Sequence, residues 1–485
     1  MVRSLGLACL AVVTFAAFPS APHSDRAVRQ PVEPAAWLSY GHDGQLTNYV
    51  RSESLTESSA GRLKLGWSKR LDGAVVASPL YAEVSGLGKI VLFETEAGTV
   101  YALRPANGAV VWKRTLGTMK PAAGCGTWGL SSTGAIDLQR GVVYAISADG
   151  LLHALLLRTG ADKPGWPIGL TAARSDVEYV WGGLRLLKNT LYVPVASYCD
   201  GPDSAGVPAE GRLVGVDVTR AAVAATFDPV AGYGNLGGIW GWGGVSVDPK
   251  GQTLFTGVGN STVYDPTCGC EVDTMGYGDS VVKLTPSLRL IGWNRPKPYL
   301  STGDYDFGAS PLLFRPDGCP PLAAANSKLG SMYVWNRDLL KNGPIFRKAL
   351  GDGLAPFVGQ PSYSPPLRML FESHVVATSN GKKVGDAVAA FSVEPKCKLR
   401  LRWKTAIGTG SEPPPVVVGD VVVAAGGDAG GYTALAARTG RILWRFKTAN
   451  ASLAPVIAAG GHVFAADFGG TARAFVVAGS RRSKR

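Results

Sequence analysis

The sequence predicts an all-β chain folded as an eight-bladed β-propeller, its ring closed by the N- and C-terminal strands. Three observations predict it. The 485 residues hold 63 glycines and 32 prolines, with only 18 % charged residues, a balance that punctuates short strands and breaks helices. A strand–turn–strand repeat ending in an aromatic residue recurs along the chain. One copy is split, with its halves at opposite termini, as ring closure requires.

The repeat is clearest in "GTVYALRPANGAVVWKRTLG", from Gly98, and "GYTALAARTGRILWRFKT", from Gly431. Weaker copies include "GLLHALLLRTGADKPGW", "GRLVGVDVTRAAVAATF", "DSVVKLTPSLRLIGW", "GSMYVWNRDLLKNGPIF" and "AVAAFSVEPKCKLRLRW". Their terminal aromatics are Trp112, Trp166, Phe227, Trp293, Phe346, Trp403 and Trp444; Trp67 in "LKLGWSKRL" makes the eighth. The final "GTARAFVV" supplies the half-repeat expected before Trp67, and this pairing removes exposed sheet edges. Alternating segments such as "KIVLFETE", "GVVYAIS" and "DVVVAAG" lie between the copies, giving about four strands per unit. A large ring at a fixed repeat position packs between blades. Trp128, Trp181, Trp240, Trp242 and Trp335 fall outside the period and need another explanation.

Residues 1–25 carry Arg3, an apolar run from Leu5 to Phe18 and then small residues and prolines, the pattern of a secretory signal. Residues 26–478 are assigned to the propeller and the basic 479–485 to a solvated tail. A secreted or periplasmic location is expected, with no membrane span. Six cysteines beyond Cys9 (Cys125, Cys199, Cys268, Cys270, Cys319 and Cys397) then suggest up to three disulfides of undetermined pairing. No CxxCH for covalent haem is present, and the five histidines show no zinc spacing. The formal charge of +13 is dispersed apart from "RRSKR", so nucleic acid is not expected as a partner. A monomer is expected.

With these repeats, the chain resembles the PQQ (pyrroloquinoline quinone) quinoprotein dehydrogenases, especially their polyvinyl alcohol dehydrogenase-like branch. Four stretches carry the resemblance. In "GGIWGWGGVSVDPKGQTLFTGVGN" the resemblance assigns Trp242 as the face on which the quinone stacks and Asn260 as a metal ligand, with Trp240 supporting. An extended strand would point Trp240 and Trp242 the same way; a Gly-rich bend with core aromatics is the competing reading. In "GDYDFGASPLLF", Asp304 corresponds to the general base and metal neighbour, and Asp306 to its assistant. Two like charges so placed need a cation or hydrogen bonds to hold them. Lys328 in "AANSKLGSMYVWN" corresponds to the lysine that reaches the quinone oxygens, and Glu210 in "AEGRLVGVDV" to a metal-binding glutamate.

One departure stands out. Family members place two adjacent cysteines beneath the cofactor, whereas "GCGTWG" holds Cys125 alone, leaving pairing with Cys199 open. The resemblance implies PQQ and Ca²⁺ as cofactors, an alcohol (secondary or polymeric among the options) as substrate, and an external electron acceptor. The alternative is a noncatalytic propeller of the same repeat, binding a protein or glycan.

Overall fold

The computed structural model describes residues 36–52, 54–122, 124–170, 176–232, 236–261, 263–265, 267, 270–272, 276–297, 306–350, 359–374, 386–408, 413–426 and 430–479. All lie within the unit Pro34–Arg485. Among them there are no α-helices, only three single-turn 3₁₀ segments, and no helix long and apolar enough to cross a membrane. Strands form eight sheets in consecutive order, antiparallel apart from Tyr49–Val50, which pairs parallel with Val416–Val418, plus a small hairpin. Blades 1 to 7 span residues 80–115, 135–169, 185–227, 246–294, 312–349, 362–408 and 416–446.

Blade 8 confirms the split repeat. Its first three strands come from residues 457–477 and its fourth is Leu63–Arg70, which pairs antiparallel with Thr471–Val477 from Leu63↔Val477 to Arg70↔Thr471. First strands such as Ala135–Asp137, Leu312–Phe314 and Val416–Val418 are wholly buried and line the axis. Fourth strands such as Val110–Thr115 expose most of their residues and form the rim.

The repeat tryptophans join neighbouring blades by a recurrent contact. Trp67 Nε1 donates to the Pro105 carbonyl at 2.7 Å, Trp112 to Leu157 at 2.8 Å and Trp403 to Ala437 at 3.0 Å. Three residues after each acceptor stands a glycine at positive φ: Gly108, Gly160 and Gly440, at 70°, 73° and 71°. A Cβ there would lie 2.8, 2.5 and 2.5 Å from the docked indole. The Asn-Gly and Thr-Gly turns are therefore receptors for the preceding blade's indole, because only glycine permits both the backbone conformation and the approach. In blade 5 the corresponding turn, residues 336–340, has no glycine, and Trp293 is left 40 % exposed.

A second binding element has no counterpart in the repeat. Residues 37–50 run as a strap inside the ring and bond to the first strand of seven blades in order. Trp37 exchanges two backbone hydrogen bonds with Tyr81; Leu38 accepts from Ile136, Gly44 from Val247, Gln45 from Leu313, Thr47 from Tyr363 and Asn48 from Val417. Blade 3 joins through Arg185, which donates to Ser39 Oγ at 2.5 Å and the Tyr40 carbonyl at 2.7 Å. Positive φ at Gly41, His42, Leu46 and Asn48 winds the strap tightly enough to follow the axis.

Two expectations follow. Gly160→Val should destabilise the protein by about 2–4 kcal/mol in urea unfolding, through backbone strain plus the clash with Trp112. Trp112→Phe, which removes the hydrogen bond but keeps a ring, should cost about 1 kcal/mol. The second concerns pH. Glu94 is 3 % exposed and accepts from the Gly134 amide at 2.9 Å, and burial pushes its carboxyl from 4.5 up to about 8. A carboxyl raised on folding favours the native state most when protonated. Its contribution is thus full below about 4.5 and is lost as pH rises through about 8. Glu94→Gln should flatten the fall in Tm between pH 5 and 8.

Candidate active site

In a four-stranded meander, the second-to-third-strand loops and the links to the next blade emerge at the same end of the ring. They enclose an axial cavity of ≈ 400 Å³ whose lining reaches from Val76, before blade 1, round to Leu453 and Phe468 of the last blades. The aromatic residues Trp128, Trp181, Trp240 and Trp242 all border it, as do Asn260 and Lys328.

The opening stretch of the resemblance is not a strand. Residues 237–240 are irregular and 241–243 turn before the short strand Ser246–Val247, so the two tryptophans are placed by a turn rather than by strand alternation. The physical reason is crowding: a Cβ on Gly241 would lie 2.5 Å from the Gly308 carbonyl, and one on Gly243 2.8 Å from Leu46 and Ser310. Trp242, 8 % exposed, packs with Tyr40, Leu46 and Val76. Trp240 is polar at its edge and cation-bound on its face. Its Nε1 donates to Asp306 Oδ2 at 2.7 Å, and Lys328 Nζ sits 4.5 Å from its ring centroid.

Asp306 is fully buried and organises this corner. Oδ1 pairs with Lys328 Nζ at 3.2 Å, while Oδ2 also accepts the Asn260 amide at 3.2 Å. Its carbonyl accepts from the Lys328 amide. Glycine at 259 fits this crowding, since a Cβ there would meet the Gly238 carbonyl at 2.9 Å, Asp306 Oδ2 at 3.1 Å and the Trp240 ring at 3.2 Å. Asp306 lies in an irregular segment before the inner strand Leu312–Phe314 and not on a strand itself. Asp304 itself lies outside the described residues.

Glu210 forms a parallel bridge with Leu236, and the next residue, Gly237, donates its amide to the Asn260 carbonyl at 2.7 Å. Glu210 and Asn260 are thereby brought to adjoining backbone segments. Ala209 and Gly211 line the cavity, whereas Glu210 does not. Among the described residues, no group of three His, Cys, Asp or Glu side chains is arranged to hold a metal ion. Asp248 and Pro249 belong to the other end of the ring. There Asp248 Oδ1 accepts from the Gln252 and Thr253 amides at 2.6 Å, so this pair is a turn and not part of the cavity.

Cys125 and Cys199 form a disulfide with S–S 2.06 Å and Cα–Cα 6.3 Å. It joins the blade 1–2 link to a loop of blade 3, and Cys199 lines the cavity. Cys319 and Cys397 form another; Cys268 lies outside the described residues. Beside the first bridge, Trp128 and Trp181 meet edge to face at 4.8 Å, Tyr179 stacks on Tyr198 at 4.5 Å, and Trp181 Nε1 donates to the Ser197 carbonyl at 2.7 Å. Sequence reasoning did not assign this wall. The off-period positions of Trp128 and Trp181 were its only signal.

Replacing Asp306 with alanine removes the carboxylate that pairs with Lys328, 19 % exposed, and the acceptor for Trp240. A loss of about 2 kcal/mol or more in unfolding free energy is expected, with a shifted tryptophan emission maximum; Asp306→Asn should lose less.

Comparison with known proteins fits this geometry. The model of the PQQ_2 family, which carries the description "Outer membrane protein assembly factor BamB", matches residues 35–190 and 374–482, more than half the chain. Quinohemoprotein alcohol dehydrogenase ADH-IIG of Pseudomonas putida is 24 % identical over 385 residues, 74 % of this chain and 51 % of the relative. The chain thus spans about half the length of that curated relative. The solved structure of ADHIIG from Pseudomonas putida HK5 superposes with a TM-score of 0.73 at 16 % identity, covering 93 % of this chain and 81 % of that one. Quinohemoprotein alcohol dehydrogenase from Comamonas testosteroni gives 0.71 at 15 %, covering 93 % and 82 %. BamB from Moraxella catarrhalis gives 0.54 at 14 %, covering 87 % and 99 %. The chain belongs to the PQQ_2 family, and its fold is a quinoprotein dehydrogenase-like β-propeller.

Proposed function

We propose that the protein is an exported quinoprotein oxidoreductase that oxidises an alcohol, secondary or polymeric alcohols among the candidates, with PQQ and Ca²⁺ as its cofactors. The observation that carries this reading is the meeting of Trp240, Trp242, Lys328 and Asn260 at one axial cavity, held together by buried Asp306. The cavity suits a flat, oxygen-rich ligand: its volume lies in the range of small-molecule sites, and its surface combines indoles with a few placed polar groups. PQQ, when bound, supplies a two-electron acceptor for hydride. By the resemblance Asn260 and Asp304 would hold the Ca²⁺, an ion that prefers such oxygen donors, while Glu210, assigned with them, stands on the adjoining backbone segment outside the cavity lining.

This chain's own groups then have separable tasks. Lys328, ion-paired with Asp306, stabilises negative charge on a ligand oxygen. Asp306 is a positioning residue, since both its carboxylate oxygens are engaged behind Trp240. Asp304, assigned by resemblance, takes the substrate hydroxyl proton as general base. The aromatic wall of Trp128, Trp181 and Tyr198 excludes water from the cavity and favours apolar substituents on the alcohol. Electrons leave to an external acceptor. The Cys125–Cys199 and Cys319–Cys397 disulfides support an oxidising compartment outside the cytoplasm.

The description of the matching family model favours a second reading, a noncatalytic propeller that binds another protein. One experiment separates the two. The purified protein is titrated with PQQ and Ca²⁺, and dye reduction is followed with primary, secondary and polymeric alcohols. Binding at micromolar PQQ with turnover, lowered at least 100-fold in Asp304→Asn, is expected. Absence of PQQ binding would leave the binding-module reading in its place.

A further inference from the structure

The strap that threads the ring also separates two cavities. On one side lies the ≈ 400 Å³ cavity of the candidate site. On the other is a ≈ 420 Å³ recess lined by the strap residues Leu38, Ser39 and His42 to Gln45, with Arg185 and Asp248. The strap residues Tyr40 and Leu46 are absent from that lining and pack instead in the cluster of Trp242 and Val76, with Trp240 against it.

We infer that Tyr40 and Leu46 are positioning residues for the cavity floor: the N-terminal strap, and not blade packing alone, sets the plane of Trp242. Leu46 is fully buried in a left-handed backbone conformation, φ 63°. A leucine in that conformation is unfavourable in isolation, so its neighbours hold it there. Those neighbours are close on both sides: its Cδ1 lies 2.8 Å from where a Gly243 Cβ would be, and its Cδ2 2.7 Å from a Gly41 Cβ. Gly243 is the residue after Trp242.

Tyr40 is anchored at both ends. Its hydroxyl donates to Gln360 Oε1 at 3.1 Å, before blade 6, and its carbonyl accepts Arg185 of blade 3. Its Cβ lies 3.0 Å from where a Gly183 Cβ would be, and the Gly183 amide donates to the Trp242 carbonyl at 2.8 Å. Trp242 is thus gripped through its backbone by the blade 2–3 link and beneath its ring cluster by the strap. An interior packed this closely transmits a deleted side chain to its neighbours.

The inference rests on the proposed cofactor for its ligand, and the test separates the two. PQQ binding to the full chain is measured by quenching of tryptophan fluorescence in wild type, Leu46→Ala, Tyr40→Phe and Val50→Ala. Val50 lies on the same strap, is 4 % exposed and accepts from Gly419, but belongs to a different cluster from Trp242. Leu46→Ala should weaken PQQ binding at least fivefold and Tyr40→Phe at least twofold, while Val50→Ala lowers Tm comparably and leaves affinity unchanged. Tyr40→Phe carries the test if Leu46→Ala fails to fold. Wild-type affinity in the folded Tyr40 and Leu46 variants, or an equal loss in Val50→Ala, overturns the inference. If wild type binds no PQQ, the cofactor reading fails and near-ultraviolet circular dichroism decides the positioning claim. The Leu46 or Tyr40 variant should change the tryptophan bands in the wild-type background but not in a Trp242→Phe background; an equal change in both overturns it.

Discussion

Eight sheets stay closed round an axial cavity when one of them is built from both ends of the chain. Here the joint is the antiparallel pairing of Leu63–Arg70 with Thr471–Val477, two segments about as far apart in sequence as the described chain allows. Without it, two strand edges would be left with unpaired amides and carbonyls, and the blades would have no reason to stop at eight. The residues of the candidate site are delivered by several loops and links of different blades, so the site inherits its geometry from this closure. A loop-built site is placed well only when its scaffold is rigid.

Two local devices make the ring rigid. From outside, an indole of one blade docks on a glycine turn of the next, as Trp67 does on Gly108 and Trp112 on Gly160. From inside, the strap of residues 37–50 bonds to the first strands in turn. The two act at different radii and restrain different motions: the indoles fix the angle between neighbouring blades, and the strap fixes the width of the channel. The strap also explains why buried polar groups such as Arg185 are tolerated near the axis, since its Nη atoms find acceptors in Ser39 and the Tyr40 carbonyl.

The candidate site is built on one buried carboxylate. Asp306 joins an indole N–H, a backbone amide and an ammonium from three different blades or links. Burying such a charge is unfavourable unless it is paired and hydrogen-bonded, and here it is both. The result is a lysine whose position over Trp240 is set from behind. The wall of Trp128, Trp181, Tyr179 and Tyr198 is fastened by the Cys125–Cys199 bridge. A cross-loop disulfide therefore stands where the resemblance implied adjacent cysteines.

The sequence by itself determined the repeat, the blade number and the split blade. These follow from local periodicity: a strand of alternating burial, a Gly turn and an aromatic leave their mark wherever they recur. Short motifs resembling those of a known family also singled out Trp240, Trp242, Asn260, Asp306 and Lys328, together with Asp304, Glu210 and Cys125. The tertiary structure alone decided how the described residues among these are arranged. Trp242 is set by a turn and not by strand alternation, because Gly241 and Gly243 are crowded against Gly308 and Leu46. Asp248–Pro249, eleven residues before Asn260, went to the opposite end of the ring because one strand intervenes. The strap was not legible, since "WLSYGHDGQLTNY" has neither period 2 nor period 3.6, and its partners lie 44 to 369 residues away. The cross-loop disulfide was left open for a related reason. Pairing of distant cysteines depends on which loops share a face, and that is known only once the ring is closed.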